Sequence, residues 1–235
     1  MKAVSIIGPK NSGKTTLGLQ LARCLKDRGL TVSAAKFSHH GLDWQDTDTA
    51  KYAAICDTVA GLGPGEAFVH WTRARFLPDL LPLLTADVLL VEGGKSMGYL
   101  PRVLCLNGDL ADGTDWLLPE LAIGSWGDKR VEGVSAFTDI DALADMVLER
   151  GFFLPGMDCG TCGRPDCRTL AADIVRGATT TKACLAMHNS IAVDINGAAL
   201  GMKPFVEEII SASIREMLRT LKGYAPGKAT IRLDV

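Results

Sequence analysis

The sequence predicts an α/β protein: a mostly parallel sheet flanked by helices, followed by a small cysteine-bearing unit. Three observations carry that expectation. The strand-like run Val4-Ser5-Ile6-Ile7 passes through a glycine-bounded loop into an amphipathic segment. Short apolar runs then alternate with segments of helical period as far as Arg150. Four of the seven cysteines crowd into the 26 residues from Cys159 to Cys184.

The elements follow in order. After the first strand, the loop Gly8 to Thr15 leads into a helix over 15–27, with Leu17, Leu21, Cys24 and Leu25 on one face and Gly29 as its stop. Thr31 to Phe37 reads as the next strand, and a polar loop, His39 to Asp48, precedes a helix over 49–57. Val59–Leu62 and Ala67–Val69 read as short strands or one hairpin around Gly63-Pro64-Gly65. Leu77 to Leu84 suggests a helix interrupted by Pro82. Asp87 to Glu92 is a continuous apolar run of the kind a strand buried on both faces requires. Arg102–Leu106 and Glu120–Gly124 read as further strands, and Asp139–Arg150 as a helix. Phe152 to Asp158 reads as a linker, and a helix over 168–176 lies inside the cysteine cluster. Ile191–Ile195 and Ala198–Met202 around Asn196-Gly197 form a hairpin pattern. Pro204 opens a helix whose stripe is Phe205, Ile209, Ile210, Ile214, Met217, Leu218 and Leu221, and Ala229–Leu233 reads as a last strand. Three units result: 1–152, 153–188 and 189–235.

Composition narrows the function classes. The 235 residues are 47% apolar and 22% charged, which suits a folded chain of one or two domains. A net charge of −2 argues against a general nucleic-acid binder or a polybasic membrane anchor. No apolar run approaches the roughly 18 residues of a spanning helix. The start, Met1 to Gly8, lacks the long apolar region of a signal peptide. A cytoplasmic protein with neither nucleic acid nor membrane as partner is expected. Cys24, Cys56 and Cys105 are scattered in apolar patterns and read as small buried hydrophobes.

Gly8-Pro9-Lys10-Asn11-Ser12-Gly13-Lys14-Thr15 satisfies G-x-x-x-x-G-K-S/T between a strand and a helix. In such a loop the backbone amides, here those of Asn11, Ser12 and Gly13 among them, converge on phosphate oxygens, and the helix N-terminus adds positive potential. Lys14 is placed to reach the β- and γ-phosphates, and the Thr15 hydroxyl to bind magnesium. Glu92, at the C-terminal end of the most apolar strand, is the candidate second ligand for that ion, a solvated strand end being the bland reading. Asp48 is a candidate for the magnesium shell or for orienting water, or else a helix cap. Lys14, Asp48 and Glu92 thus form the candidate catalytic set. His39 and His40, adjacent on an extended segment, point to opposite sides and cannot easily share one ion. One of them contacts phosphate or substrate, or is merely hydrogen-bonded.

Gly8–Thr15, Lys36-Phe37-Ser38-His39-His40, Asp48-Thr49 and Val91-Glu92-Gly93-Gly94-Lys95 together resemble the MobB family over roughly residues 1–150. These are GTP-binding accessory proteins of molybdopterin-guanine dinucleotide biosynthesis. The resemblance implies that Gly13, Lys14, Thr15 and Thr16 hold phosphates and magnesium, with Asp48 and Glu92 completing the metal environment. It also implies a homodimer that hydrolyses GTP slowly beside the enzyme attaching GMP to molybdopterin. No clear N-K-x-D guanine-reading segment is visible; Ile123–Asp128 occupies the expected region, with Asp128 as the candidate reader.

The cysteine spacing is C-x₂-C-x₄-C-x₁₆-C. Four thiolates without a histidine suit a [4Fe-4S] cluster or structural zinc, and the lone fourth cysteine after a helix favours iron–sulfur. Residues 157–187 resemble the small [4Fe-4S] domain of corrinoid iron–sulfur proteins and Rnf-type electron-transfer subunits. That resemblance implies Cys159, Cys162, Cys167 and Cys184 as ligands. The combined expectation is a GTP-binding accessory protein in molybdenum- or tungsten-cofactor biosynthesis that carries a [4Fe-4S] cluster. The alternative is an ATP-dependent iron–sulfur electron-transfer or maturation factor acting on a partner metalloenzyme.

Overall fold

The first strand lies at the middle of the sheet because its residues are apolar on both faces. In the computed structural model, which describes residues 1–38, 48–108, 115–188, 191, 193–195, 198–200, 202, 204–225 and 229–231, β1 (Lys2–Ile7) pairs in parallel with β5 (Val88–Glu92) on one side and β6 (Arg102–Cys105) on the other. β2 (Val32–Lys36) flanks β5, while β7 (Ala122–Trp126) and β8 (Ala136–Phe137) extend the sheet beyond β6. The order is 2-5-1-6-7-8, parallel throughout. The C-terminal ends of β5, β1 and β6 therefore lie side by side, where open α/β sheets present their ligands.

α1 (Lys14–Asp27) buries Leu17, Leu21 and Leu25 on the face formed by Val4, Ile6, Val88, Leu90 and Val103. Each such burial stabilises the fold by about 1.5–3 kcal/mol. Gly29, at φ 81, closes the helix. α4 (Ile140–Arg150) packs beside α1; the Asp139 carboxylate caps it by accepting from the amides of Asp141 and Ala142. The other face is covered less regularly. Ala3, Leu89 and Val91 meet Leu77, Met97 and Leu100, and the expected helix over 77–84 is instead α3 (Leu77–Leu80) followed by a 3-10 turn, Leu81–Leu83. Pro82 lacks the amide that a continuous helix needs.

Other departures also have local causes. β7 begins two residues later than expected, because Leu118 at φ 44 and a 3-10 turn at Pro119–Leu121 precede it. β8 has only two residues and carried no sequence signal. α2 (Asp48–Ala53) is shorter than expected. β3 (Thr58–Leu62) and β4 (Ala67–Trp71) do form one hairpin, but as a sheet of their own.

The segment expected to be a linker is docked instead. Phe152 donates from its amide to Ala3 O and Leu154 to Tyr99 O, and both side chains are buried. The apolar character of the segment, read as tethering, is what pins it. α5 (Cys167–Val175) follows, and its Leu170, Ala171 and Val175 join the same continuous core as Val4 and Leu121. Beyond it, β9 (Val193–Ile195) pairs antiparallel with β10 (Ala198–Leu200), their turn at 196–197 lying outside the described residues. On α6 (Pro204–Arg219) and just after it, part of the apolar stripe is left open: among the described residues Phe205, Ile209, Met217 and Leu221 are largely exposed, whereas Ile210, Ile214 and Leu218 are half-buried. Ala229–Ile231 is not a strand, and Arg232 and Leu233 lie outside the described residues. Among the described residues, no helix is long and apolar enough to cross a membrane.

Candidate functional site

The loop after β1 follows its course because Gly8 has no side chain: a Cβ there would land on the carbonyl oxygen of Cys105 and on Ser12 Oγ. Asn11 at φ 60 and Gly13 at φ 87 then wind the chain into α1. Lys14 donates its ammonium to the carbonyl of Pro9. Burial lowers the pKa of that ammonium; Cys105 and Glu92 oppose the shift, while Lys95 and Lys36 reinforce it. A bound polyanion would reverse the penalty.

Thr15 Oγ1 donates to Glu92 Oε1 at 3.0 Å, and Lys36 Nζ lies 3.5 Å from the same oxygen. Gly93 (φ 86) and Gly94 (φ 74) turn the chain away directly after Glu92, and the Lys95 ammonium rests 4.0 Å from the centre of the Trp116 ring. Thus Lys14, Thr15 and Glu92 gather at one mouth, with Lys36 and Lys95 beside them. Asn11, Thr15 and Thr16 are exposed, whereas Ser12 is buried and its hydroxyl has no partner among the described residues. That orphaned hydroxyl, the side-chain-free cradle at Gly8 and the excess of ammonium groups fit a triphosphate with a divalent cation. Asp48 is the first residue of α2, but its side chain, like His39 and His40, lies outside the described residues.

Sequence reasoning missed the floor of this site. Cys105 Sγ and Asn107 Nδ2 both donate to the Ser12 carbonyl, each at 3.0 Å. Burial pushes the Cys105 thiol upward in pKa, so it stays protonated and able to donate. Arg102 was also missed. Fully buried, it donates to the carbonyls of Met97 and Trp116 at 2.8 Å, Leu117 at 3.3 Å and Lys95 at 3.4 Å. Burial pushes its pKa down to about 10. It ties the chain beyond Glu92 to the loop before β7. The available signals were a lone arginine opening an apolar strand and an asparagine ending it.

A second site lies on the docked module. Cys159, Cys162, Cys167 and Cys184 are free thiols lining one hollow, with Pro155, Met157, Leu170 and Leu185 between them. No three are already drawn around one point closely enough to hold an ion, among the described residues. Positive φ at Asp158, Gly160 and Gly163 folds the cysteine loop back on itself. Asp158 Oδ1 accepts from the Cys167 amide at 2.7 Å, and Asp166 caps α5 by accepting from the Thr169 amide at 2.7 Å. Arg164 joins the Cys162 carbonyl to Asp173, which also pairs with Arg176. Burial raises the thiol pKa of Cys167 and of Cys184. The set fits an iron–sulfur group: four soft thiol donors on a largely apolar wall, with the Asp166 carboxylate in the lining already engaged by the Thr169 amide and hydroxyl.

Comparison with known proteins agrees with both halves. Residues 3–109 match the family model described as "Molybdopterin guanine dinucleotide synthesis protein B", and residues 154–186 match one described as "Putative Fe-S cluster". A Methanocaldococcus jannaschii protein named "Putative molybdopterin-guanine dinucleotide biosynthesis adapter protein" is 26% identical over 245 residues, spanning 100% of this chain and 97% of its own. The crystal structure of Bacillus subtilis MobB aligns with a TM-score of 0.51 at 25% identity, covering 65% of this chain and 99% of that one. A further Bacillus subtilis MobB structure gives 0.48 at 26% identity, with coverages of 65% and 99%. The first of these structures is spanned almost whole by about two thirds of this chain; the Methanocaldococcus relative extends over the remainder as well.

Proposed function

We infer, from a chain that carries a MobB domain over residues 3–109 and an iron–sulfur domain over residues 154–186, that it is a GTP-binding, slowly hydrolysing accessory protein of molybdenum- or tungsten-cofactor biosynthesis. The observation that carries this reading is the meeting of Thr15 Oγ1 and Glu92 Oε1 at 3.0 Å beside Lys14. A magnesium triphosphate needs an ammonium, a hydroxyl and a carboxylate in one small space.

Lys14 and the amides of Asn11, Ser12, Gly13, Thr15 and Thr16 hold the phosphates; Thr15 and Glu92 hold magnesium. When bound, that ion neutralises charge on the phosphate oxygens. Lys36 and Lys95 add positive potential at the mouth. Asp48 and Glu92 orient the attacking water.

Cys159, Cys162, Cys167 and Cys184 hold a [4Fe-4S] cluster, which when bound supplies one-electron chemistry. With those four thiolates as its ligands, the module would serve electron transfer, redox sensing or docking. The partners are a cofactor-biosynthesis protein or metalloenzyme and a second copy of this chain, in a cytoplasm that keeps the thiols reduced. Leu62 and Val69, exposed on one face of the β3–β4 hairpin, support the self-association.

Anaerobically purified protein should contain about four irons and four acid-labile sulfides per chain, and should bind GTP in a magnesium-dependent manner by calorimetry. Colourless, iron-free protein would remove the cluster reading. Clear preference for ATP in competition would instead favour the ATP-dependent electron-transfer factor.

A further inference from the structure

We propose that the Lys95 ammonium rests on the Trp116 ring in the free chain and moves to the terminal phosphate of a bound triphosphate, so that it separates triphosphate from diphosphate. The inference rests on the nucleotide reading above and adds the group that senses the last phosphate. Lys95 Nζ lies 4.0 Å from the centre of the Trp116 ring. Among the described residues no carboxylate pairs with it, whereas Lys36 faces Glu92 and Lys14 donates to the Pro9 carbonyl. Of the ammonium groups at the mouth, Lys95 is the one seated on a ring face.

The seat is fixed while the side chain is free to leave it. Arg102, fully buried, donates from Nη1 to the Trp116 carbonyl at 2.8 Å, and from Nη2 to the carbonyls of Met97 at 2.8 Å and Lys95 at 3.4 Å. One guanidinium therefore joins the backbone that carries the ammonium to the 3-10 turn, Asp115–Leu117, that carries the ring. Trp116 also packs against the cluster of Ile7, Leu104 and Leu106. Its indole N–H is buried and has no partner among the described residues, so packing rather than a side-chain hydrogen bond orients the ring. With the backbone pinned, the four-carbon stem of Lys95 can still swing. Only Gly93 and Gly94 separate Lys95 from Glu92.

Like charges crowd this mouth, and both Lys95 and Lys36 press the pKa of Lys14 downward. A ring face holds a cation without supplying a full negative charge, which suits a lysine that must later give itself to a ligand. Charge-assisted bonds to phosphate oxygens are stronger than a cation–π contact, so a triphosphate within reach draws the ammonium off the ring. In a magnesium triphosphate the ion bridges the β- and γ-phosphates. The contact of Thr15 with Glu92 marks that point, and the terminal phosphate then falls beside Glu92 and the chain that leaves it. A diphosphate ends short of that place, and Lys95 stays on the ring.

Calorimetry on the full chain with magnesium, comparing GTP with GDP, tests this when read together with indole emission. Lys95→Gln should weaken GTP by about tenfold or more while leaving GDP unchanged. In wild-type protein GTP should alter the indole emission more than GDP does, and that difference should vanish in Lys95→Gln and in Trp116→Phe alike. Equal weakening of GTP and GDP in Lys95→Gln would make Lys95 a general source of positive potential and overturn the inference. So would unchanged GTP binding, or a GTP-specific emission change that survives the loss of the lysine. In each of these cases tight binding of GDP by wild-type protein leaves the nucleotide reading standing, whereas binding of neither nucleotide would end both.

Discussion

Lys14 is the side chain whose loss should cost triphosphate binding most. It combines charge with a position beside Glu92, and its burial makes its ammonium poorly hydrated in the free protein. Lys14→Ala should weaken magnesium-GTP by roughly a hundredfold, as expected for losing charge-assisted bonds to phosphate. The thermal midpoint of the unliganded protein should barely move; a large fall there would mean that Lys14 supports the fold instead. Asp87 acts at the opposite end of the sheet. Thr31 donates to its Oδ2 from Oγ1 at 2.7 Å and from the amide at 2.9 Å, which holds the carboxyl below the ordinary carboxylate range. The folded-state value is depressed, so the stabilisation is present above the unfolded value near ~3.9 and is lost as pH falls through the folded one. Wild-type protein should exceed Asp87→Asn in urea midpoint at neutral pH, and the gap should close on acidification below about pH 4.

Among the elements, α5 decides how the cysteine module sits. Two kinds of contact hold it to the sheet domain. Arg168 pairs with Glu120, but the two side chains are 50% and 38% exposed, and such a solvated pair contributes at most about 1 kcal/mol. Leu170 is 1% exposed and embedded in the main core, and truncating a leucine there costs about 2–5 kcal/mol. Burial wins. Chemical denaturation should therefore show a large loss for Leu170→Ala and a small one for Glu120→Gln; the reverse order would mean that the module is held by charge. Gly98 explains the close approach, since a Cβ there would lie 2.7 Å from Arg168 Cβ. The cysteines depend on the same element, because α5 separates Cys167 from Cys184. Cys184→Ser should lower iron content while leaving GTP affinity intact, as read by iron analysis and calorimetry; full iron occupancy would remove Cys184 from the ligand set.

At the scale of the whole molecule, a single core runs from the sheet through the Phe152–Leu154 strap into α5. The cysteine module is thus seated on the sheet domain rather than tethered to it. The β3–β4 hairpin stands outside that core. Leu62 is 88% exposed, and Val69, on the same face of the paired strand, has more than two-fifths of its surface open. Placing a charge in that patch, as Leu62→Asp, should convert a dimer to a monomer in sedimentation at micromolar concentration with GTP affinity retained. An unchanged sedimentation coefficient would locate self-association elsewhere, or remove it.

The phosphate loop, its flanking elements, Glu92 and the four cysteines were legible in the amino-acid sequence alone, because each depends on spacing within a short stretch of chain. The apolar runs of β1 and β5 likewise announced strands buried on both faces. What neighbours what was a different matter. Cys105 read as one more core hydrophobe and Asn107 as an unremarked strand end, yet both bond to Ser12, more than ninety residues earlier. Phe152 to Leu154 read as a linker until Ala3 and Tyr99 supplied its hydrogen-bond partners. On α6 the periodicity was right, but no periodicity says whether a helix has a neighbour to cover its stripe. Local spacing determines which chemistry the chain carries; strand order decides which distant groups brace it, since only the closed sheet brings those edges together.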